Sequence, residues 1–157
     1  MPVEIERKFL VEGEAWRALG APVVYRQGYL CTDPERTVRV RIAGARAFMT
    51  VKGASEGPSR AEFEYEIPRA DAGVLLDRLC LRPLIEKERR KIEHAGLIWE
   101  VDEFFGENAG LVLAEVELSS PDQAFDPPAW AGVEVTGDFR YYNASLVACP
   151  YTLWRSV

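Results

Sequence analysis

A single histidine, His94, and three scattered cysteines, Cys31, Cys80 and Cys149, are all that this chain offers a soft metal. One imidazole cannot build a histidine centre, and an odd, dispersed set of thiols gives neither a disulfide framework nor a thiolate site. Any bound metal must therefore be a hard ion held by carboxylates. Long apolar runs are missing too. None approaches the ~20 residues that a membrane helix needs, and the opening MPVEIERKFLVEGE is too charged for a secretory signal. The chain reads as cytoplasmic, with no membrane partner. Positive charge is in the minority, 19 Lys and Arg against 25 Asp and Glu, which argues against non-specific nucleic-acid binding. Repeats, low-complexity tracts and a domain linker are also lacking. The 157 residues, 48% of them apolar, are expected to form one domain over 1–157.

What is present is period-2 alternation, in which successive side chains point to opposite faces of a strand. It predicts strands near 3–11, 23–31, 36–42, 46–52, 61–67, 84–93, 97–105 and 111–118, separated by turn-formers such as Ala43-Gly44, Ala95-Gly96 and the stretch from Gly53 to Pro58. The short connections favour an antiparallel sheet. Helical spacing predicts a helix capped by Asp71 with Val74, Leu75, Leu76 and Leu79 as its apolar face, and shorter ones over Glu14 to Leu19 and Asn143 to Ala148. Asp126-Pro127-Pro128 reads as a rigid connector.

The polar faces of these strands carry ionised groups almost exclusively, in same-sign sets. Glu4 pairs with Glu6 on a face they share with Lys8, with Val3, Ile5 and Phe9 opposite. Arg39 pairs with Arg41, Glu62 with Glu64, Glu100 with Asp102, and Glu115 with Glu117, each backed by apolar neighbours. Lys52 lies opposite Met49 and Val51. Lys87, Arg89 and Lys91 share a face, but Glu86, Glu88 and Arg90 charge the other side too, leaving that strand's orientation open. One charged face is ordinarily the solvated side of a sheet. Repeated like charges on many strands repel unless opposite charge lies between them.

A closed barrel satisfies every strand, with the charged faces lining a wet interior and the apolar faces packing outward against helices. The expected fold is mainly β: a closed eight-stranded antiparallel barrel forming a charged tunnel with flanking helices. Burying so many ions in a dry core costs several kcal/mol each, so the lumen must hold water, metal or an ionic ligand. Carboxylate pairs suit Mg²⁺ or Mn²⁺, and clustered Arg and Lys suit phosphate oxygens. A metal-bound polyphosphate would use both.

The opening Val3-Glu4-Ile5-Glu6-Arg7-Lys8-Phe9 resembles the E-x-E-x-K signature of the CYTH superfamily, the triphosphate tunnel metalloenzymes. The likeness continues in order through Arg26-Gln27-Gly28-Tyr29-Leu30, Arg39 and Arg41, Lys52-Gly53, Glu62 and Glu64, Lys87 and Arg89, Asp102, Glu115 and Glu117, and Asp138-Phe139-Arg140-Tyr141-Tyr142-Asn143. RQGYL and SRAEFEYEI look most like the short bacterial members resembling inorganic triphosphatases. One departure is Tyr142, where many relatives have a basic residue.

This resemblance implies hydrolysis or cyclisation of a small-molecule triphosphate with a divalent metal, Mg²⁺ or Mn²⁺. Glu4, Glu6, Glu62, Glu64, Asp102, Glu115 and Glu117 would be direct or water-mediated ligands, unless they pair with the tunnel's own cations. Lys8, Arg39, Arg41, Lys52, Lys87, Arg89 and Arg140 would hold phosphate oxygens, arginine as an orienting fork and lysine as a point charge. Tyr29 with Lys8 would assist the leaving group or orient water, or Tyr29 is simply a wall aromatic. The expected reaction splits tripolyphosphate into phosphate and diphosphate, one metal gripping the chain and a second activating water. Other readings stay open: a class IV adenylate cyclase, a thiamine or nucleoside triphosphatase, a non-catalytic polyphosphate-binding module, or a barrel whose ion pairs are purely structural. The protein is expected to be a monomer or a homodimer.

Overall fold

Every expected strand forms, with ends within about two residues of those read from the alternation. The computed structural model describes residues 1–154; the last three positions of the expected domain lie outside the described residues. The strands are β1 (Val3–Val11), β2 (Val23–Cys31), β3 (Arg36–Ala43), β4 (Arg46–Gly53), β5 (Ser59–Ile67), β6 (Ile85–His94), β7 (Leu97–Phe104), β8 (Val112–Glu117) and β9 (Ala131–Glu134). Neighbours run β5-β4-β3-β2-β6-β7-β8-β1, and β1 then pairs back onto β5 through Val3–Ala61, Glu4–Arg60 and Ile5–Ser59, closing an eight-stranded antiparallel barrel. Closure joins the two end strands of the sheet over these three residue pairs.

The ninth strand was not foreseen. β9 lies on the far half of β1, beyond the reach of β5, pairing Phe9 with Glu134 and Val11 with Ala131. Its Ala-Gly-Val-Glu sequence is too short for alternation to show.

Outward faces pack under two covers. Phe9, Trp99, Val101 and Val116 meet Trp16 and the Phe125 and Trp130 rings, which the Pro127-Pro128 connector carries on either side of it. Trp99 lies 5.4 Å from Phe9 and 5.8 Å from Trp130 between ring centroids, the second pair edge-on, an arrangement that aromatic quadrupoles favour. On another face α1 (Arg69–Arg78) covers Val40, Ala47 and their neighbours. Here the expected helix is corrected. It begins three residues earlier, with Pro68 at the cap position and Asp71 in the first turn, where its charge complements the helix's positive end. Ala72 and Leu76 are buried and Leu75 half-buried, whereas Val74 (53% exposed) and Leu79 (63%) face out. The 3.6-residue period puts Val74 off the buried stripe, and at the helix end Cys80 takes the inward place.

The end of α1 comes so close to β2 that Gly28 has no room for a side chain: a Cβ there would sit 2.8 Å from both Cys80 Cβ and Leu84 Cδ2. Gly28→Ala is expected to cost about 1–3 kcal/mol through this overlap, read as a lowered melting temperature; an unchanged one would mean that α1 yields freely.

The short helix α2 (Asn143–Ala148) closes one end of the barrel. Its Leu146 and Val147 pack against inward-facing Ile85, Phe104, Leu113 and Tyr29. Tyr151 N–H donates to Asn108 Oδ1 at 2.9 Å and ties the following segment to the β7–β8 turn. The interior therefore has an apolar floor and a polar remainder. Among the described residues, no helix is long and apolar enough to cross a membrane.

Candidate active site

Because side chains alternate, each strand delivers every second residue to the lumen. β1 contributes Glu4, Glu6 and Lys8, β3 Arg39 and Arg41, and β6 Lys87 and Arg89; these line a cavity of about 350 Å³ together with Tyr29, Lys52, Arg60 and Glu115. That volume lies in the small-ligand range. The ambiguity of β6 resolves in the same way: Ile85, Lys87 and Arg89 point in and are buried, while Glu86 points out.

Cations and carboxylates meet in a graded pattern. Asp102 is almost wholly buried; its Oδ1 accepts from Arg89 Nε at 2.7 Å and its Oδ2 from Arg89 Nη2 at 2.8 Å, with Lys87 Nζ also 2.8 Å from Oδ2. Burial pushes the Asp102 carboxyl up, but Arg89 and Lys87 outweigh it and hold it down to about 2. Lys8 Nζ lies 3.1 Å from Glu115, and Lys52 Nζ lies 3.0 Å from Glu4 and 3.3 Å from Glu62. Glu64 accepts from Thr50 Oγ1 at 3.0 Å and approaches Arg39 Nη2 at 3.4 Å.

Arg41 has no carboxylate partner among the described residues. Its Nε donates to the neutral Gln27 Oε1 at 2.9 Å, and its guanidinium stacks 4.9 Å from the Tyr25 ring centroid. Burial, then the charges of Arg39 and Arg89, push its pKa down to about 10. Beside it, Arg39 is buried with its Nε unpartnered. Burial also pushes the Lys87 ammonium down to about 7; Asp102 opposes this, while Arg89 and Arg41 add to it. A region of surplus positive charge thus stands next to the Asp102 ion pairs.

The carboxylates show the converse surplus. The Glu6 carboxyl group neighbours that of Glu115, and the Glu4 carboxyl group neighbours that of Glu62. Burial first, and then Glu115 and Glu4, push the Glu6 carboxyl well up.

The chain matches the CYTH domain over residues 2–151. It belongs to the CYTH family. It is 52% identical to an inorganic triphosphatase of Acetivibrio thermocellus over 151 residues, covering 96% of this chain and 97% of that protein. It is 42% identical to an inorganic triphosphatase of Nitrosomonas europaea over 147 residues, covering 91% and 95%. A solved inorganic triphosphatase superposes with a TM-score of 0.63 at 40% identity, over 94% of this chain and 95% of that one.

In this CYTH chain the lumen gathers most of the expected site residues. Glu117, opposite Glu6 in register, stands at the open mouth and is exposed. Arg140 is not brought in: its Nη2 pairs with Asp138 at 2.7 Å on the surface, and its guanidinium lies 5.4 Å from the Tyr141 ring centroid and 5.6 Å from that of Trp154. A carboxylate two residues away captures it before it can reach the barrel. The aromatic found over Lys8 is Tyr142, 5.6 Å from Nζ, while the Tyr29 ring packs in the apolar floor and borders the cavity.

Arg60, Gln27 and Asn143 were not among the expected site residues. Arg60 shares the inward face with Glu62 and Glu64, a signal that alternation carried. Gln27 is fully buried and uncharged, so a search for charge passes it by.

Among the described residues, no three Asp, Glu, His or Cys side chains converge as a ready-made metal cluster. Asp102 is committed to Arg89 and Lys87, and Lys52 stands between Glu4 and Glu62. The donor set nonetheless fits a hard dication, because the Glu6–Glu115 and Glu4–Glu62 contacts hold oxygen ligands together at a repulsive cost that such an ion removes. Glu62 provides a measure of that cost. Burial, then the hydrogen bond and charge of Glu4, push its carboxyl up to about 7 from an ordinary 4.5. Between those values the folded protein keeps a proton that the unfolded chain has released, so Glu62 lowers stability as pH rises through the window. In chelator, the stability of Glu62→Gln relative to the parent protein is expected to increase by on the order of 2 kcal/mol from pH 4.5 to 7, read from melts at each pH. Parallel stability curves would refute this.

Proposed function

We propose that the protein is a divalent-metal-dependent inorganic triphosphatase, cleaving tripolyphosphate to phosphate and diphosphate inside the barrel. The observation that carries this reading is the half-buried Arg41, without a carboxylate partner among the described residues, beside the unpartnered Nε of the buried Arg39. A purely structural barrel leaves no cation unneutralised at such cost, whereas a bound polyanion supplies the missing charge and accepts the orphan hydrogen bond. The paired glutamates argue against a simple polyphosphate binder, since an anion site gains nothing from carboxylates unless a cation joins them.

The chemistry divides along the walls. Arg39 and Arg41 grip phosphate oxygens and fix the chain's orientation, with Lys8, Lys52 and Arg60 as further positive charges toward the mouth. Asp102 acts through Arg89 and Lys87, holding both where they face the substrate. Glu4, Glu6, Glu62, Glu115 and Glu117 would hold Mg²⁺ or Mn²⁺. A bound dication supplies neutralisation of phosphate charge and a water of lowered pKa. Phosphoryl transfer asks the protein chiefly for positioning and charge stabilisation, and these arginines and lysines provide both. The α2 floor excludes water from one end, so substrate and products share the opposite mouth.

The compartment is the cytoplasm, supported by three unpaired cysteines. One chain closes the barrel, so each copy carries a complete site whether the protein is a monomer or a homodimer.

Phosphate release from tripolyphosphate, ATP and thiamine triphosphate, each with Mg²⁺, Mn²⁺ or EDTA, tests the proposal. Turnover is expected to be fastest on tripolyphosphate and abolished by EDTA. Turnover unchanged by EDTA, or a preference for ATP, would overturn it.

A further inference from the structure

A continuous line of hydrogen bonds crosses the lumen. Arg41 Nε donates to Gln27 Oε1 at 2.9 Å, Gln27 Nε2 donates to Asn143 Oδ1 at 2.9 Å, and Lys87 Nζ donates to the same Asn143 oxygen at 2.8 Å. Lys87 continues the line to Asp102, and Asp102 to Arg89. Asn143 is the member supplied from outside the barrel, by the first residue of α2.

The chemistry of the two ends determines how the amides between them are turned. An ammonium and a guanidinium only donate, so an amide facing either must present its oxygen. Asn143 therefore turns Oδ1 toward Lys87, which leaves that oxygen to receive Gln27 Nε2. Gln27 in turn must present Oε1 to Arg41. Were the Asn143 oxygen removed, Gln27 Nε2 would be left without its acceptor, and only Arg41 would still tell the two ends of the amide apart. In a flipped Gln27 the NH₂ group would face the Arg41 guanidinium, donor against donor, and Arg41 would have to move. Gln27 is fully buried, so water cannot readily take over the lost contact.

We propose that Asn143 is a positioning residue: through Gln27 it sets the guanidinium of Arg41, and directly it sets the ammonium of Lys87, so that the α2 plug orients two of the cations that grip the substrate. The inference rests on the triphosphatase reading, but concerns residues to which that reading gives no role. It also gives α2 a second task besides flooring the barrel.

Steady-state kinetics on tripolyphosphate and calorimetric binding of tripolyphosphate in EDTA, with Asn143→Ala, Gln27→Ala and the double variant, test it. Each single change is expected to raise KM and Kd about tenfold, the worth of a buried hydrogen bond to a charged group, while kcat falls less than about threefold. The double variant is expected to match the worse single one, because both act along one line. A KM and Kd within about twofold of the parent protein in Asn143→Ala, or single effects that multiply in the double variant, would overturn the proposal. Should Asn143→Ala not fold, Asn143→Ser carries the same test, its hydroxyl being too short to reach both donors. If the parent protein releases no phosphate from tripolyphosphate with any metal, the triphosphatase reading falls while the Kd comparison still decides the role of Asn143. Normal turnover with unchanged Kd in Asn143→Ala removes the positioning role alone.

Discussion

Replacing Arg41 with glutamine is expected to lower kcat/KM for tripolyphosphate by about 10²–10³ while leaving the melting temperature unchanged or raised. The two effects share one cause. Burial together with Arg39 and Arg89 pushes the Arg41 pKa down to about 10 from an ordinary 12.5. The folded protein thus holds this proton less tightly than the unfolded chain, and below pH ~10 the full cost of the charge burdens the native state. Removing the charge returns on the order of 1–3 kcal/mol, against about 1 kcal/mol for the lost hydrogen bond to Gln27. In catalysis the sign reverses. In the proposed reaction the same uncompensated guanidinium would face the negative charge of the phosphates, where loss of one preorganised donor typically costs about 3–4 kcal/mol of transition-state stabilisation. Thermal melts and steady-state kinetics on the same preparations check both halves. Activity within tenfold of the parent protein would remove Arg41 from the substrate site. A strongly destabilised variant would make its charge structural.

The separation of functional charge from structural charge also marks what the sequence could disclose. E-x-E and R-x-R on strands with apolar backs announce an inward ionised face, because the period of two sorts residues by face whatever the barrel's final shape. Glu4, Glu6, Arg39, Arg41 and Glu115 were legible for that reason. So was barrel closure, since no open sheet reconciles so many like-charged faces. Arg140 was legible only as part of a likeness, and its placement depends on a local ion pair with Asp138 that no strand pattern encodes. Gln27 and Asn143 lie 116 residues apart and are both neutral. Their meeting depends on where the segment after β9 folds back over the barrel end, which is a matter of packing Leu146 and Val147 on Ile85 and Phe104 rather than of periodicity. β9 escaped notice on the same grounds: four residues gain strand geometry only from the exposed half of β1.

Asp102→Asn is expected to destabilise the fold by about 3–5 kcal/mol, the usual penalty for leaving a buried charge without its partner. Two cations depend on this carboxylate, Arg89 through both oxygens and Lys87 through one. An asparagine in the same place keeps the shape, but turns an NH₂ toward at least one of those donors. The acid side carries a matching signature. Burial pushes Asp102 up, yet Arg89 and Lys87 hold it down to about 2 from an ordinary 3.8, so its ionised form stabilises the fold above that ordinary value. That contribution is lost as pH falls through about 2. Urea unfolding at neutral pH should show the full loss, and the gap between variant and parent should narrow between pH 4 and 2. The same variant separates this role from metal ligation. A ligand carboxylate held apart by its own charge would, on neutralisation, raise the metal concentration needed for half-maximal turnover and leave metal-free stability equal or improved. An ion-pair anchor predicts the reverse order: a large loss of stability in EDTA, with tripolyphosphate binding in EDTA weakened as Lys87 and Arg89 lose their alignment.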